Sequence, residues 1–343
     1  MKALVKYAPG VGNVGIREVP EPTPGEGQVK VEVKYGGICG TDIHIFHDHY
    51  KNNPPVIMGH EWSGQVVEVG PGVKTVTVGD RVTGIPAAYT CGRCRYCLEG
   101  RVFLCKDRIS FGSGVNGGFA KYAVVGEKNI RHLPDNISFK AGALSEPFAC
   151  CVKAVCLMTG VSAGDVVLIT GPGPIGLLTA QLAKAEGGLV VLAGTQVDKE
   201  RLEIGKKLGA DLTVDVQKDD VDGILKDLTN GYGADVVLEC AGAPAATRLG
   251  VQVVRKEGKF TQIGLHDKPF EFDVLQILYK EIKFTGSFAS SLDAWDRAMV
   301  LFKGGKIQAE PIVSDILPLT QWEKGFEKIN NREGLKILLE PED

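Results

Sequence analysis

The chain has 343 residues, of which 44% are hydrophobic and 24% are charged, a balance typical of folded globular proteins rather than disordered or collagen-like ones. Its net charge of −3 at pH 7 indicates no surface suited to nucleic acid or to an anionic membrane. No apolar run has the length of a signal peptide or of a membrane span of about 20 residues. We therefore expect a cytoplasmic protein of two domains, with neither nucleic acid nor a membrane as partner.

Residues 1–150 are predicted to form a loop-rich β domain. Val29–Val33 and Gln65–Val69 alternate between apolar and polar residues, and turn residues separate runs of this kind. Such alternation is typical of antiparallel strands with one face in solvent.

Candidate ligands of a catalytic metal lie in two separate segments of this domain. Cys39 falls within Gly37–His44, and His60 and Glu61 follow Gly59. Sulfur, imidazole and carboxylate are ligands that a catalytic zinc accepts while it keeps one position open. The spacing alone does not bring Cys39 to His60, and a buried thiol beside an unrelated loop histidine explains these residues equally well.

A cluster of cysteines follows next in the chain. Four of the nine cysteines have the pattern Cys91-x2-Cys94-x2-Cys97-x7-Cys105. Four thiolates on a tight loop satisfy tetrahedral zinc with no open position, which predicts a structural site. An iron–sulfur cluster is the alternative, but the ferredoxin pattern continues with a shorter gap and a proline. Four others are predicted to be small buried residues: Cys150, Cys151, Cys156 and Cys240.

The segment after residue 150 alternates apolar runs with helical patterns. The predicted strands are Val166–Ile169, Leu189–Ala193, Leu212–Val216, Asp235–Glu239 and Lys259–Ile263, and the predicted helices include Leu177–Ala185, Lys199–Leu208 and Val221–Leu228. Apolar strands separated by helices are typical of a doubly wound parallel sheet. A helix at Ala294–Phe302 precedes a tail, Ile307–Asp343, which we expect to pack on the first domain.

The first turn of this predicted sheet has the pattern G-x-G-x-x-G. It consists of Gly171, Gly173, Pro174, Ile175 and Gly176, between a strand and a helix. The glycines permit a tight turn and a close approach of the backbone to a pyrophosphate at the helix N-terminus. This context predicts dinucleotide binding rather than a plain turn.

The end of the second strand bears on which dinucleotide is bound. An acidic residue at this point favours NAD, because it binds the ribose hydroxyls, but the strand ends with Gly194 and Thr195. Thr195 is placed to donate to a 2′-phosphate, with Lys199 or Arg201 supplying charge. Asp198 serves either the NAD interpretation or a helix N-cap. The sequence therefore leaves NAD and NADP open and favours NADP.

These motifs together resemble the zinc-containing medium-chain alcohol dehydrogenases. The pattern Gly59-His60-Glu61-x2-Gly64-x5-Gly70-x2-Val73 matches that family's signature, and the Cys-Gly-Thr-Asp element at 39–42, the cysteine loop and the glycine turn follow its order. Within the family the chain is most similar to the sorbitol (L-iditol 2-) and other polyol dehydrogenases and their threonine 3-dehydrogenase relatives. The resemblance implies an α/β protein with a GroES-like catalytic domain (1–150 and about 291–343) and a Rossmann domain (151–290).

The resemblance also implies roles for individual residues. It implies a catalytic zinc on Cys39, His60 and a carboxylate, which is Glu61 in some relatives and Glu146 in others. Thr41 matches the hydroxyl that takes the substrate proton. His44 matches the histidine that passes the proton to solvent, a role that suits an imidazole near neutral pH.

Cofactor contacts are implied in the second domain as well. The matching positions are Ile175, Arg201, Ile263, Gly264, Leu265, Gly286 and Ser287. The chain departs from the threonine dehydrogenases before the cysteine loop, where Ala88-Tyr89-Thr90 replaces a Gly-His pair.

We accordingly predict an NAD(P)-dependent dehydrogenase that converts a secondary alcohol, most simply a polyol, to a ketone. L-Threonine and 2,3-butanediol are the alternative substrates. The family is usually a dimer or tetramer, so a homo-oligomer, with the tetramer as the working form, is expected. A zinc-free quinone reductase, a non-catalytic protein on this fold and a zinc-loop binding protein are the rival classes, and each would lack part of this residue set.

Overall fold

The computed structural model describes residues 1–342, which fold as two units. Unit 1 contains Met1–Pro147, Ser291–Gly305 and the chain from Ala309 onward, and unit 2 contains Phe148–Ser290 and Lys306–Gln308. The first boundary between the units therefore falls after Pro147, inside a helix, whereas the sequence analysis placed the domain boundary after residue 150. Among the described residues, no helix combines the length and apolar character needed to cross a bilayer.

Unit 1 is built mainly of β-strands. The strands are β1 (Lys2–Lys6), β2 (Val14–Glu18), β3 (Gln28–Gly37), β4 (Val56–Ile57), β5 (Glu61–Val69), β6 (Arg81–Gly84), β7 (Ala87–Tyr89), β8 (Ile109–Ser110), β9 (Tyr122–Gly126) and β10 (Ile130–His132). Three short helices accompany them: α1 (Gly40–Phe46), α2 (Arg95–Leu98) and α3 (Phe139–Gly142). β3 pairs antiparallel with β5 and β9, which confirms the predicted antiparallel strands.

The polar face of β3 is less exposed than its alternating sequence predicts. Lys30 is only 8% exposed. Its ammonium group pairs with Glu21 and Glu68 and lies 4.8 Å from the centroid of the Tyr122 ring. The expectation of a fully solvated face was wrong, because neighbouring side chains cover the lysine stem.

Unit 2 contains the predicted parallel sheet. α4 (Ser145–Val152) leads into it and continues as a π-helix, Lys153–Thr159. The strands are β11 (Val166–Thr170), β12 (Leu189–Gly194), β13 (Leu212–Asp215), β14 (Ala234–Glu239), β15 (Val254–Gln262) and β16 (Lys283–Gly286). The helices are α5 (Pro174–Ala185), α6 (Lys199–Lys207), α7 (Val221–Leu228), α8 (Pro244–Val253) and α9 (Leu275–Lys280). All pairs are parallel in the order β13-β12-β11-β14-β15-β16, so the doubly wound fold is confirmed.

The C-terminal tail completes unit 1. It contains α10 (Leu292–Lys303), β17 (Val313–Pro318), α11 (Trp322–Asn330) and β18 (Lys336–Glu340). β18 pairs antiparallel with β3 through Leu338 and Gly37. Trp322 and Phe326 join a core cluster that also contains Ile38 and other buried residues of the N-terminal segment. The tail therefore packs as predicted, and it places β18 beside the end of β3.

The cysteines outside the two candidate metal sites are less buried than expected. Cys151 is buried, but Cys150, Cys156 and Cys240 are only partly so. The prediction of buried cysteines was wrong for Cys150 and Cys156, whereas burial raises the pKa of the Cys240 thiol well above its usual value although the residue is partly exposed.

Candidate functional site

The register of two strands brings the candidate catalytic ligands together. Gly37, at the end of β3, is paired with Glu61, the first residue of β5. Cys39 follows β3 directly and His60 precedes β5, so the two residues lie on adjacent chain ends. The ligand atoms of Cys39, His60 and Glu61 all lie within 4.8 Å of one another. This contact is the one that sequence spacing alone left open.

Negative charge is concentrated around His60. Burial acts to lower the pKa of His60, but its interactions with Cys39 and with Asp42 outweigh burial and hold that pKa well above its usual value. Burial also raises the pKa of Asp42 to about 6, although His60 opposes this shift. Acidic side chains thus lie close to His60 in a buried setting, where a bound cation would be stabilised.

Asp42 lies next to two of the candidate metal ligands, Cys39 and His60. Its Oδ2 accepts a hydrogen bond from the backbone N–H of Cys39 at 2.9 Å, and its Oδ1 lies 4.0 Å from Nδ1 of His60. Asp42 is fully buried, and its Oδ1 has no hydrogen-bond partner in the described structure. Asp42 therefore positions the backbone of Cys39, and its carboxylate lies next to the His60 ring without a hydrogen bond to it. The sequence analysis gave Asp42 no role, although it stands in the Cys-Gly-Thr-Asp element.

Lys336 is the second residue at this site that the sequence analysis missed. Its Nζ donates to Glu61 Oε2 at 2.6 Å and to the carbonyl oxygen of Ile38 at 3.0 Å. Burial acts to lower the pKa of Lys336, but Glu61 and Cys39 outweigh it and raise that pKa. The lysine is therefore charged, and it holds one oxygen of Glu61. No sequence signal could have connected residues that are 275 positions apart.

Glu146 occupies a different position from Glu61. It lies in the first turn of α4 and is 8% exposed. Its negative charge contributes to the raised pKa of His60, after Cys39 and Asp42 and against burial, which acts to lower that pKa. It is not part of the group of ligand atoms formed by Cys39, His60 and Glu61.

Thr41 and His44 lie on α1, which begins directly after Cys39. The hydroxyl of Thr41 lies 3.8 Å from the sulfur of Cys39. His44 is three residues further along, so the two side chains share a helix face. Both are partly exposed.

The donor set fits zinc. One sulfur, one imidazole nitrogen and one carboxylate oxygen are the ligand types of catalytic zinc sites, and three such donors leave a tetrahedral ion one open position. The unpartnered Oδ1 of the buried Asp42 and the convergence of the three ligand atoms within 4.8 Å agree with a divalent cation held here.

The four-cysteine loop forms a second cluster in unit 1. The ligand atoms of its four cysteines lie within 4.8 Å of one another, with sulfur–sulfur distances of 3.6 Å for Cys94–Cys97 and for Cys105–Cys91. Backbone N–H groups of Arg93 and Cys94 lower the pKa of Cys91 to about 6. All nine cysteines are free thiols. This arrangement fits a structural zinc ion with no open position.

We expect Cys94→Ser to damage stability before activity. The substitution removes one thiolate from a site whose metal affinity contributes directly to folding. The expected result is a decrease of roughly 10 °C in the unfolding temperature and the loss of one zinc ion per chain, measured by calorimetry and metal analysis. Below that temperature the specific activity should stay within about twofold of the parent. An unchanged unfolding temperature would contradict a structural role.

The predicted glycine turn lies between β11 and α5. Gly171 has a φ of +83°, and a Cβ on Gly176 would lie 1.9 Å from the carbonyl oxygen of Gly171. Only glycine is tolerated at both points. Gly173 is the N-cap residue of α5, and Pro174 begins the helix, with Ile175 next. This turn has the form of a pyrophosphate site at a helix N-terminus.

The end of β12 holds the groups that bear on cofactor choice. Asp198 Oδ2 accepts hydrogen bonds from the backbone N–H of Thr195 at 3.0 Å and from its hydroxyl at 2.8 Å. Arg201 Nη1 lies 3.4 Å from Asp198 Oδ1. Asp198 is the N-cap residue of α6, but its side chain does not cap that helix. Its carboxylate is therefore already engaged by Thr195.

The other expected cofactor positions lie at the same edge of the sheet. Ile263, Gly264 and Leu265 follow β15, Gly286 ends β16, and Ser287 comes next. The backbone N–H of Ser287 donates to the carbonyl oxygen of Gln262 at 2.9 Å. The buried hydroxyl of Ser287 has no partner within the described residues. An unpartnered hydroxyl at the carboxyl edge of a parallel sheet fits a polar ligand there.

Family models match both halves of the chain. Residues 25–135 match the alcohol dehydrogenase GroES-like domain, and residues 174–304 match the zinc-binding dehydrogenase domain. These ranges contain the candidate zinc ligands Cys39, His60 and Glu61 and most of the expected cofactor positions.

Several characterised proteins resemble the chain along its whole length. It is 42% identical to the sorbitol dehydrogenase of Halalkalibacterium halodurans, with 100% of both chains covered. It is 40% identical to the D-arabitol-phosphate dehydrogenase of Enterococcus avium (99% and 97% covered). It is 37% identical to the L-threonine 3-dehydrogenase of Pyrococcus horikoshii (96% and 93% covered). A zinc-binding dehydrogenase of Sinorhizobium meliloti, solved with NADP, superimposes with a TM-score of 0.90 at 34% identity and 99% coverage of both chains.

Proposed function

This chain belongs to the zinc-containing medium-chain alcohol dehydrogenases, and we propose that it oxidises a secondary hydroxyl of a polyol and transfers the hydride to NAD(P). The observation that carries the proposal is the group formed by Cys39, His60 and Glu61, with the Thr41 hydroxyl beside it. The polyol assignment is supported by the sorbitol and arabitol-phosphate dehydrogenases among the relatives.

We assign the catalytic metal to Cys39, His60 and Glu61. When bound, zinc supplies Lewis-acid chemistry that makes an alcohol hydroxyl more acidic, and the nicotinamide supplies the hydride acceptor. Asp42 Oδ2 accepts a hydrogen bond from the backbone N–H of Cys39, and Lys336 donates one to Oε2 of Glu61, so hydrogen bonds position two of the three donors. Glu146 lies outside this group and adds negative charge next to His60.

The proton of the substrate hydroxyl is assigned to Thr41 and His44. Thr41 Oγ1 accepts the proton and releases its own hydroxyl proton toward His44, on the same face of α1, and the imidazole passes a proton to solvent. Both side chains are partly exposed, so the path does not end in the protein interior. With the nicotinamide bound, the carbon that bears this hydroxyl would transfer a hydride to it, and the alcohol would be oxidised to a ketone.

Initial rates of oxidation test the assignment. A panel of polyols, diols and amino alcohols is assayed with NAD and NADP in parallel, and we expect the highest kcat/KM for a polyol. L-Threonine is the competing substrate, because a threonine dehydrogenase is 37% identical. A higher kcat/KM for threonine or 2,3-butanediol than for every polyol would replace the polyol assignment and leave the reaction class unchanged.

We also propose NADP as the preferred dinucleotide. No acidic residue follows Gly194 directly, and a zinc-binding dehydrogenase at 34% identity was solved with NADP. The Thr195 hydroxyl donates to Asp198, so the charge for a 2′-phosphate is assigned to Arg201, which lies 3.4 Å from Asp198 and would turn to the phosphate. We expect Arg201→Ala to raise KM for NADP about tenfold and KM for NAD much less. Lys206→Ala, an exposed change on the same helix, is the control. An equal change for both cofactors would contradict the assignment.

We also propose that the protein is a cytoplasmic homo-oligomer. β16 is an edge strand of the parallel sheet, and Leu278, Tyr279 and Phe288 expose large apolar surfaces near it in the sequence, which supports a homo-oligomer, dimeric or tetrameric. Sedimentation velocity distinguishes these states, and a monomer would contradict the proposal. Free thiols at all nine cysteines agree with a cytoplasmic protein.

A further inference from the structure

Glu239 is a buried carboxylate in unit 2 that the proposed reaction does not use. It is 0% exposed at the end of β14. Its oxygens accept from the Thr170 hydroxyl at 3.2 Å, from the backbone N–H groups of Ala241 and Gly242 at 2.9 and 3.0 Å, and from Nε2 of Gln262. The N–H groups can only donate, so Glu239 accepts as the carboxylate. All of these partners in the described chain are uncharged, which makes the buried position costly.

The carboxylate joins the ends of three neighbouring strands. Thr170 ends β11 directly before the glycine turn, Ala241 and Gly242 follow β14, and Gln262 ends β15 directly before Ile263. Ligands of doubly wound sheets bind at this carboxyl edge. Glu239 is therefore placed to set the relative positions of three segments, two of which hold expected cofactor contacts.

The negative charge of Glu239 also determines which atoms donate in a chain of hydrogen bonds that extends to His266. Nε2 of Gln262 donates to Glu239 and to the carbonyl oxygen of Gly264 at 2.8 Å, so both amide protons are used and Oε1 must accept. The Thr247 hydroxyl donates to that Oε1 at 3.1 Å. Its single proton is then committed, and its oxygen must accept from Nε2–H of His266, 3.1 Å away.

His266 is thereby held in one tautomer. Its Nε2 carries the proton, and its buried Nδ1 has no hydrogen-bond partner in the described structure. The ring also packs against Phe270, with centroids 4.5 Å apart. The segment from Gln262 to His266 is thus fixed at both ends, at Glu239 and at Thr247.

We propose that Glu239, Gln262, Thr247 and His266 form a positioning relay for the dinucleotide site. The relay holds the glycine turn, Ala241–Gly242 and Ile263–Leu265 in the arrangement that the nucleotide requires, so binding does not have to order them. Glu239 is fully buried and acts through these segments. The inference rests on the proposed function, because that function makes these segments the dinucleotide site.

Dinucleotide affinity is the first test. In Glu239→Gln a carboxamide NH₂ faces groups that can only donate, so calorimetry of the zinc-loaded enzyme should show Kd for NADP and NADPH raised about tenfold or more. The kcat at saturating dinucleotide and the KM for the alcohol should stay within about twofold. Thr179→Val removes a buried hydroxyl of unit 2 outside the relay and is the matched control. A Kd equal to that of this control overturns the inference.

Thr247→Val keeps the Glu239 carboxylate but removes the hydroxyl that links Gln262 to His266. It provides the affinity test if Glu239→Gln does not fold. We expect about a threefold higher Kd for NADP with an unfolding temperature close to that of the parent. A lower unfolding temperature with unchanged Kd identifies a purely structural role and overturns the inference.

The tautomer of His266 gives a test that needs no activity. Nitrogen-15 NMR of the histidine-labelled enzyme without nucleotide, assigned with His266→Gln, should show the Nε2–H form, and Thr247→Val should lose this preference. An Nδ1–H form in the parent overturns the relay. A parent enzyme that binds no dinucleotide overturns the proposed function and this inference together, whereas equal binding by the parent and Glu239→Gln overturns only this inference.

Discussion

Cys39→Ser should lower kcat/KM for the alcohol by on the order of 10³-fold or more, while both folded units remain intact. A serine hydroxyl is un-ionised near neutral pH and is therefore a poor zinc ligand. The variant thus loses the sulfur ligand that would bind zinc together with His60 and Glu61. Cys39 lies before α1 and is only partly buried, so the change leaves no large cavity. The measurements are initial rates with the best alcohol of the panel, and zinc per chain.

Metal analysis separates the two zinc sites in this experiment. Cys39→Ser should retain the zinc of the four-cysteine loop and lose the catalytic ion, so the zinc content falls by one per chain. Cys150→Ser, a partly exposed cysteine of unit 2 outside both clusters, is the matched control and should keep full activity and full zinc. Full activity of Cys39→Ser would end the proposed catalytic assignment.

With the catalytic zinc site empty, Lys336→Met should destabilise unit 1 by about 3–5 kcal/mol, because it leaves the Glu61 carboxylate buried without a cation. The side chains of Lys336 and Glu61 are 6% and 1% exposed, and their charged atoms are 2.6 Å apart, so water cannot replace the lost partner. Zinc affinity of the catalytic site should also fall, by about 10–100-fold, because Glu61 loses the group that orients it. Denaturant unfolding and zinc titration with a competing chelator measure the two effects.

Two further variants identify the cause of that destabilisation. Lys336→Arg keeps the positive charge and should retain most of the stability and zinc affinity. The double variant Glu61→Gln with Lys336→Met removes both charges and should recover a substantial part of the lost stability, since the uncompensated carboxylate is gone. If Lys336→Met is as stable as the parent, the buried pair does not have the role assigned to it.

Local patterns predicted most of the fold. Val166–Ile169 reads as a buried strand because every residue is apolar, and it lies within β11, whose residues are all buried. Val221–Leu228 was predicted as a helix and is α7 with the same bounds. The prediction failed for the polar face of β3, because the groups that cover Lys30 come from other parts of the chain.

The candidate catalytic site was likewise only partly predictable from the sequence. Cys39, His60 and Glu61 were proposed as ligands from their chemistry and from the family resemblance. Their proximity, however, depends on the pairing of Gly37 with Glu61 across β3 and β5. Asp42 could have been assigned an orienting role from its place in the Cys-Gly-Thr-Asp element, but its complete burial could not be known from that element.

The sequence by itself determined the features that depend on short separations: the four thiols of the cysteine loop, the glycine turn and the alternation of strands and helices. Only the tertiary structure decided that Lys336 neutralises Glu61 and that Glu239 orders the hydrogen bonds as far as His266. The physical reason is that chain connectivity restricts the positions of near neighbours only. Distant groups meet through strand register, which is set by burial of the whole sheet face. A single polar residue does not decide that register.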